Sequence, residues 1–227
     1  MRLQSIENHK KTLQLTRFQK SLLVGKLLGD GHLETANKGK TYRLKIEHAL
    51  KQKEYVDWLY AQFPGWANKA PARRLKTGFG KEFESYGFTT YSHSAFRFYG
   101  QQFYNSLGEK HIPKMIGKLL DPIAIAIWYL DDGSFKSEKH RTFIIHSHGY
   151  PKAELEKILS ALKKFGIQAR LHRQRRGDNI YWRIYVLSES ADIFRSYLEH
   201  IVQYLPSMRY KLGTTCLKSN GEAYKVG

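Results

Sequence analysis

The chain has 227 residues, 41% of them hydrophobic, which is enough to bury one large core or two small ones. Lys and Arg outnumber Asp and Glu by 38 to 20, and the net charge of +18 favours a polyanionic partner. A single cysteine excludes a disulfide framework and a Cys-rich zinc module. The longest apolar run, residues 123–130, is far too short to span a membrane. We therefore expect a soluble, intracellular protein of the cytoplasm or an organelle matrix.

The sequence contains one internal repeat. Residues 22–31 read LLVGKLLGDG and residues 124–133 read AIAIWYLDDG, so an apolar stretch ends in Asp-Gly twice. The two acids, Asp30 and Asp132, are 102 residues apart. Because nearly every position of each stretch is apolar or small, the pattern predicts two helices that are buried almost all round.

After each Asp-Gly, periodicity predicts a polar segment, a strand, a helix, a pair of strands and a closing helix. In the first half, we expect the single strand at 41–47 and the helix after it at 51–63. The return strand of the pair is expected at 87–92 and the closing helix at 94–107. In the second half, we expect the strand at 141–147 and the helix after it at 151–165. The turn between the paired strands is expected at 177–178 and the closing helix at 190–204.

The coarse order is αββαββα, twice. The sequence thus predicts an α+β fold of two half-domains, residues 1–107 and 122–212, with a connector at 108–121 and a tail at 213–227. The strands alternate between an apolar side, which suits covering helices, and a basic side, which is left for a partner.

The paired acids favour metal chemistry. If the two buried helices pack together, their C-terminal ends bring Asp30 and Asp132 close to each other. Two carboxylates repel unless a cation lies between them, and oxygen ligands with water suit Mg²⁺. A single Asp-Gly is more often only a helix end followed by a turn, but two copies at the same point of a repeat favour a functional pair.

The two motifs resemble the signature helices of the LAGLIDADG homing endonucleases. LVGKLLGDG (23–31) and IAIWYLDDG (125–133) match the single-chain, two-motif form, and the similarity is closest to the omega-intron endonuclease type. It extends from about residue 16 to residue 212 and includes the following flanks: KTYRLKIE (40–47), KHIPKMIGKLLDPIAIAIWYLDDG (110–133) and LPSMRYKLG (205–213). Lys26 and Gly29 depart from the residues that give the family its name.

The resemblance implies two pseudo-symmetric halves that pack through the motif helices, with antiparallel sheets forming a DNA-binding saddle. It implies that Asp30 and Asp132 are catalytic acids that hold Mg²⁺, with Mn²⁺ as a substitute, at two scissile phosphates. The cut would be a staggered double-strand break across the minor groove. Lys110 and Lys211 match the family's basic residues beside each metal and could order the attacking water. The backbone carbonyls of the residues before the acids, Gly29 and Asp131, are further candidate metal ligands.

Outward strand residues are the candidates for DNA contacts, because Arg recognises guanine and Gln recognises adenine in the major groove. At least half of protein–DNA hydrogen bonds go to the backbone, so any single residue could contact phosphate instead. The candidates are Arg43, Lys45, Arg73, Lys76, Arg141, Arg170, His172, Gln174, Arg176, Tyr181 and Arg183. Because the two halves carry different side chains, we expect a monomer to bind a long, asymmetric target.

Our leading hypothesis is a metal-dependent, sequence-specific endonuclease for double-stranded DNA that acts in intron or intein homing. The alternative is an intron-splicing maturase that uses the same fold to hold intron RNA. A transcription regulator is disfavoured, because a protein that only binds does not need carboxylates close to phosphate. His146 and His148 lack a third zinc ligand and are expected to be polar sheet residues. The aromatic cluster at 96–104 is expected to belong to the core.

Overall fold

The computed structural model describes residues 2–78, 80–137, 139–213, 215–217 and 223–225. The chain divides into two compact units, Met1–Glu109 and Lys110–Gly227. Each contains one motif helix and one four-stranded antiparallel sheet with helices packed against it, so the predicted α+β fold with two pseudo-symmetric halves is confirmed. No helix in the described part of the chain is long and apolar enough to cross a bilayer.

Among its described residues, the first unit has four helices and four strands. In chain order they are α1 (Arg2–Thr12), α2 (Arg17–Leu28), β1 (His32–Glu34), β2 (Arg43–Ala49), α3 (Lys53–Ala61), β3 (Ala72–Gly78), β4 (Lys81–Thr89) and α4 (Arg97–Phe103). Short 3-10 turns at Leu50–Gln52 and Ser94–Phe96 lead into α3 and α4. The sheet order is β1-β2-β4-β3.

The second unit repeats this arrangement. Its elements are α5 (Ile116–Leu119), α6 (Pro122–Asp132), β5 (Gly133–Phe135), β6 (Phe143–Ile145), α7 (Lys152–Lys163), β7 (Ala169–Arg176), β8 (Asn179–Val186), α8 (Ala191–Val202) and a 3-10 helix, Pro206–Leu212. Its strand order, β5-β6-β8-β7, corresponds strand by strand to the order β1-β2-β4-β3 of the first sheet. A small hairpin, β9 (Thr215–Leu217) with β10 (Ala223–Lys225), follows.

The structure differs from the sequence-based boundaries at several points. The sequence pattern set no bounds for β1 and β5, because strands of three residues are too short to show an alternation. Both strands lie in the segments described above as polar. The connector expected at 108–121 lies almost wholly in the second unit and contains α5. Of the predicted tail, the described residues are Gly213 and the hairpin of β9 and β10, and the rest lies outside them.

Both motif helices are buried almost all round, as predicted. In α2 every residue from Ser21 to Leu28 is buried, and in α6 every residue from Ala124 to Leu130. Their N-termini are fixed by caps. Thr16 and Gln19 form a capping box at α2, whereas the Asp121 carboxylate accepts a hydrogen bond from the Ala124 amide at 2.8 Å.

Aromatic residues fill the core of each unit. In the second unit the rings of Tyr129, Phe143 and Phe194 contact one another at centroid distances of 5.1 to 5.6 Å. These contacts join α6 to β6 and α8, and therefore fix the end of α6 relative to the sheet. In the first unit Phe96 is buried as expected, but Phe98 of the same cluster is exposed, because it lies on the outer side of α4.

Gly87, in the centre of the first sheet, provides a test of its packing. A Cβ at this position would lie 2.3 Å from the backbone oxygen of Ile46, which cannot move without disturbing the β2–β4 ladder. We expect Gly87→Ala to lower the free energy of unfolding by about 1–3 kcal/mol. Urea unfolding followed by circular dichroism measures this. Gly149→Ala is the matched control, since among the described residues other than its chain neighbours no atom lies within 4 Å of its added Cβ. An equal loss in both variants would contradict the prediction.

Candidate active site and nucleic-acid interface

The glycine of each Asp-Gly lets the chain fold back onto the last turn of the motif helix. The Gly31 amide donates to the Lys26 carbonyl at 2.7 Å, and an added Cβ on Gly31 would lie 2.7 Å from the Lys26 Cβ. In the second unit the Gly133 amide donates to the Tyr129 carbonyl, and a Cβ there would lie 2.0 Å from the Tyr129 ring. Only glycine fits either position, so each acid is held at a helix C-terminus by a fixed turn.

A carboxylate at a helix C-terminus stands beside the negative end of the helix dipole. The effect on one exposed charge is about 0.3–1 kcal/mol and is unfavourable for an anion. Both Asp30 and Asp132 are in this position. Nearby hydrogen-bond donors or cations would offset this effect, and the structure shows different neighbours in the two units.

Asp30 is half exposed, with 49% of its side chain accessible, and it faces His48. The Asp30 Oδ2 atom lies 3.5 Å from Nδ1 of His48, a buried residue on β2. On the far side of the ring, His48 Nε2 lies 2.7 Å from the Nζ atom of Lys26, which is fully buried in α2. The sequence interpretation treated Lys26 only as a departure from the motif and overlooked His48, although His48 continues the inward alternation of Leu44 and Ile46.

Asp132 receives its hydrogen bond from its own helix. The indole Nε1 of Trp128, one turn earlier in α6, donates to Asp132 Oδ2 at 3.1 Å. The Asp132 backbone carbonyl accepts from the His146 amide at 3.0 Å, which ties the end of α6 to the sheet. Asp132 and its neighbour Asp131 are both partly buried.

Lys211 is buried and caps the C-terminus of α6. Lys211 lies in the 3-10 helix after α8, and only 6% of its surface is accessible to solvent. Its Nζ atom lies 2.6, 3.0, 3.2 and 3.5 Å from the backbone oxygens of Leu130, Gly133, Asp131 and Tyr129. An ammonium at this end of the helix satisfies carbonyls that have no intrahelical partner and opposes the dipole. The family resemblance implied that Lys211 lies beside one of the two metal sites, but it did not indicate these contacts.

Tyr129 completes this cap from inside the helix. Its hydroxyl donates to the Lys211 carbonyl at 2.7 Å. Burial raises the pKa of Tyr129 far above its usual value, so the hydroxyl stays protonated and remains a donor. Lys110, the other predicted basic residue, is partly buried at the start of the second unit and precedes Ile112, whose amide donates to Glu154 at 2.8 Å.

The first sheet presents basic residues that are paired with acids on the same face. Arg43 bonds Glu34 at 2.8 Å across the β1–β2 ladder, and Lys76 forms an ion pair with Glu47. Partial burial alone would raise the pKa of Glu34, but the hydrogen bond from Arg43 and the positive charge of Lys45 outweigh it and lower the pKa. Both acids are therefore ionised internal counter-ions of the basic side chains.

The prediction that Arg73 shares this face with Lys76 is wrong. Residues an odd number apart in a strand point to opposite sides, and Arg73 lies opposite Tyr86, on the face of the buried His48. Arg74, which the sequence analysis did not select, occupies the basic face. Its Nη1 atom lies 3.3 Å from Glu47 Oε2.

The second sheet places its predicted residues together. The register of β7 and β8 puts the following side chains on one face: Arg170, His172, Gln174, Arg176, Tyr181 and Arg183. His172 stacks on Tyr185 with 4.3 Å between ring centroids. Its pKa is lowered by burial and then by the positive charges of Arg170, Arg183 and Lys136, so a neutral imidazole is favoured on this face.

Arg141 and the two histidines take different positions. Arg141 was predicted on a strand, but it lies in the turn before β6 with a φ of 44°, because its amide donates to the Ser137 carbonyl at 2.8 Å. His146 Nε2 lies 2.8 Å from Ser134 Oγ, and His148 Nε2 lies 3.1 Å from Gln174 Oε1. These contacts are those of polar residues beside a sheet, as expected.

Comparison with known proteins places this architecture among DNA-cutting enzymes. The family model described as the LAGLIDADG DNA endonuclease family matches residues 20–194. The chain is similar to the DNA endonuclease I-ChuI of Chlamydomonas applanata, with 27% identity over 212 residues, 88% of this chain and 96% of that protein. It is also similar to the cytochrome b mRNA maturase bI2 of Saccharomyces cerevisiae, with 26% identity over 216 residues, 85% of this chain and 47% of that protein.

A solved structure shares the fold. The homing endonuclease I-WcaI, bound to its DNA recognition sequence, superposes with a TM-score of 0.79 and 22% identity over 91% of each chain. The agreement covers both units and therefore extends beyond the two motifs.

The Lys211 cap makes a prediction about stability that is independent of catalysis. Lys211→Met leaves buried carbonyls at the end of α6 without their donor, and we expect the free energy of unfolding to fall by about 1–3 kcal/mol. The measurement is urea unfolding without DNA or divalent metal. Lys163→Met, on the exposed side of α7, is the control. A Lys211→Met protein as stable as the control would show that the cap contributes nothing.

Proposed function

The chain belongs to the LAGLIDADG DNA endonuclease family, and we propose that each of its two halves cuts one strand of a long, asymmetric DNA target. The observation that carries this proposal is the repetition of one chemical unit. Asp30 and Asp132 each follow a buried helix, each is fixed by a glycine turn, and each precedes a sheet with a basic face. We propose further that the protein acts as a monomer in intron or intein homing.

A divalent metal ion fits both acids. A carboxylate oxygen at the negative end of a helix dipole is a suitable ligand for Mg²⁺ or Mn²⁺, and the half-exposed Asp30 leaves room for water ligands. Such an ion would stabilise the charge that develops on the phosphate and activate a water molecule. The carbonyl of Gly29 remains a proposed ligand. The Asp131 carbonyl also remains a proposed ligand, although it accepts a hydrogen bond from Lys211. At the second site we assign the metal to the Asp132 carboxylate.

The protein's own groups orient these acids. Trp128 donates to one oxygen of Asp132 and thereby fixes the orientation of this carboxylate. Lys211 holds a positive charge beside the end of α6, where it offsets negative charge on a bound phosphate. We propose Lys110 as the second basic residue of the catalytic machinery, in keeping with its position in the repeat.

The two basic sheet faces are the proposed DNA-binding surfaces. On the first sheet we propose Arg43, Lys45, Arg74 and Lys76 as the contacting residues. On the second we propose the six side chains of β7 and β8 that share one face, with Arg141 reaching DNA from its turn. Because the two sets differ in side-chain chemistry, the half-sites they recognise differ as well.

Replacing one acid should stop cleavage of one DNA strand and leave cleavage of the other. With a target selected from a duplex library, we expect Asp30→Asn and Asp132→Asn each to slow double-strand cleavage by more than 100-fold, equivalent to about 3 kcal/mol. End-labelled DNA and Mg²⁺ in a single-turnover assay measure this, and each variant should nick the strand cut by the intact half. Asp192→Asn, exposed on α8, is the control. Wild-type cleavage by both variants would overturn the metal assignment.

The two neighbouring arginines of β3 test the DNA-binding face. We expect Arg74→Ala to weaken DNA binding by about 1 kcal/mol, or roughly fivefold, because it removes a contact from the basic face. Arg73→Ala should bind as the wild type does, because its side chain lies on the other face with its partner Glu84. Fluorescence anisotropy at a fixed salt concentration compares them. A larger loss for Arg73→Ala would place DNA on the opposite face.

Intron RNA is a second candidate partner. The observation that favours it is the similarity to the maturase bI2 over 85% of this chain. A maturase activity predicts tight binding to the intron that encodes the protein and faster splicing in vitro. Both should survive Asp30→Asn and Asp132→Asn, since folding RNA does not need a metal-bound acid, and no effect on splicing by the wild type would exclude this function.

A further inference from the structure

We propose that Lys26 is a positioning residue that orients the catalytic Asp30 through the imidazole of His48. The proposal rests on the proposed function, because Asp30 is assigned there as a metal ligand. It adds two residues to the active site of the first half, and both act through Asp30. The supporting contacts are a Lys26–His48 distance of 2.7 Å and a His48–Asp30 distance of 3.5 Å.

The burial of Lys26 requires an explanation. Its accessible fraction is 0%, in a helix whose neighbouring residues are leucine and valine. Removing an ammonium from water is costly unless polar or aromatic groups receive it. The structure supplies His48 Nε2 at 2.7 Å and the face of the Tyr55 ring at 5.2 Å. The cation is therefore held in one place, with its charge directed towards the ring of His48.

The chemistry of these groups fixes the direction of the hydrogen bonds. An ammonium has only protons to donate, so Nε2 of His48 must accept, and the single proton of the neutral imidazole is then on Nδ1. The Nδ1 atom lies 3.5 Å from Asp30 Oδ2, so a proton on Nδ1 attracts the carboxylate electrostatically. The other tautomer would place a lone pair of Nδ1 against the carboxylate. Lys26 thus selects the tautomer that attracts and orients Asp30.

The second half contains an independent counterpart. The residue four positions before Asp132 is Trp128, and it donates directly to the acid at 3.1 Å. The residue four positions before Asp30 is Lys26, which acts through His48. Both helices thus carry a donor one turn before the acid, as a direct indole bond in one and a relay in the other. The backbone supports the same role, because the Lys26 carbonyl also anchors the Gly31 amide that closes the Asp30 turn.

The tautomer of His48 can be observed without metal, DNA or catalysis. In two-bond ¹H–¹⁵N correlation spectra of ¹⁵N-labelled protein, the neutral tautomers differ in which ring nitrogen carries the proton. The His48 signals are those missing from His48→Gln. We expect the Nδ1–H form in the wild type and in the exposed control Lys20→Met, and a shift towards Nε2–H in Lys26→Met. An Nε2–H form in the wild type, or an unchanged Nδ1–H form in Lys26→Met, would overturn the relay.

Cleavage measured separately on each DNA strand tests whether the Lys26–His48 relay affects catalysis at Asp30. In a single-turnover assay with both DNA strands labelled, we expect Lys26→Met to slow the strand cut at Asp30 by about 10- to 100-fold and to leave the other strand unaffected. Trp128→Phe should slow the opposite strand. Affinity for DNA, measured separately, should stay at the wild-type level in both variants, which distinguishes misfolding from mispositioning.

Substitutions at His48 provide a rescue. Gln offers an oxygen to accept from Lys26 and an amide to donate to Asp30, so His48→Gln should keep most of the rate, whereas His48→Leu should lose it. Equal slowing of both strands by Lys26→Met, or equal rates for His48→Gln and His48→Leu, would contradict the inference. If the wild type cuts neither strand of any target, the proposed function fails, and the tautomer spectra still decide whether the relay exists.

Discussion

The return of the chain onto the last turn of each motif helix is the constraint from which the rest of the structure follows. The Gly31 amide donates to the carbonyl of Lys26, five residues earlier, at 2.7 Å, and the Gly133 amide donates to the carbonyl of Tyr129, four residues earlier. Each turn fixes an acid at a helix end, and the next strand starts at once, at His32 in one unit and at Gly133 in the other. The position of the acid and the start of the sheet are thus set by the same few backbone atoms, and a side chain on either glycine would displace both.

The two units share this scaffold but surround their acids differently. Asp30 is half exposed and faces a histidine from β2, whereas Asp132 is partly buried and bonded to an indole of its own helix. The second helix is capped by Lys211, whose ammonium contacts four carbonyl oxygens of α6 and the following residue. Repetition of the backbone has therefore preserved the position of the carboxylate while the surrounding donors diverged. The two acids therefore lie in different electrostatic environments.

The sequence predicted correctly those features of the fold that are set by short, local residue patterns. The duplicated Asp-Gly, the buried helices and the long hairpin of β7 and β8 have clear periodicity and were placed correctly. Helix α1 was missed because its polar composition has no apolar repeat, and the faces of Arg73 and Arg74 were exchanged because turn residues gave no register for β3. The contacts of His48 and of Lys211 join segments that are far apart in the chain. The family resemblance placed Lys211 beside a metal site without indicating which atoms it contacts, and the sequence analysis did not select His48.

The acids on the basic face of the first sheet give that surface its own counter-ions. Glu34 and Glu47 already neutralise part of the charge of Arg43, Arg74 and Lys76. A phosphate that binds there exchanges one anionic partner for another, so fewer salt ions are displaced than the number of basic side chains suggests. Affinity should consequently fall less steeply with ionic strength than it does for a surface of unpaired lysines. The phosphates of non-target DNA must also compete with these fixed carboxylates for the basic side chains. The protein should therefore dissociate more readily from DNA that fits the surface poorly.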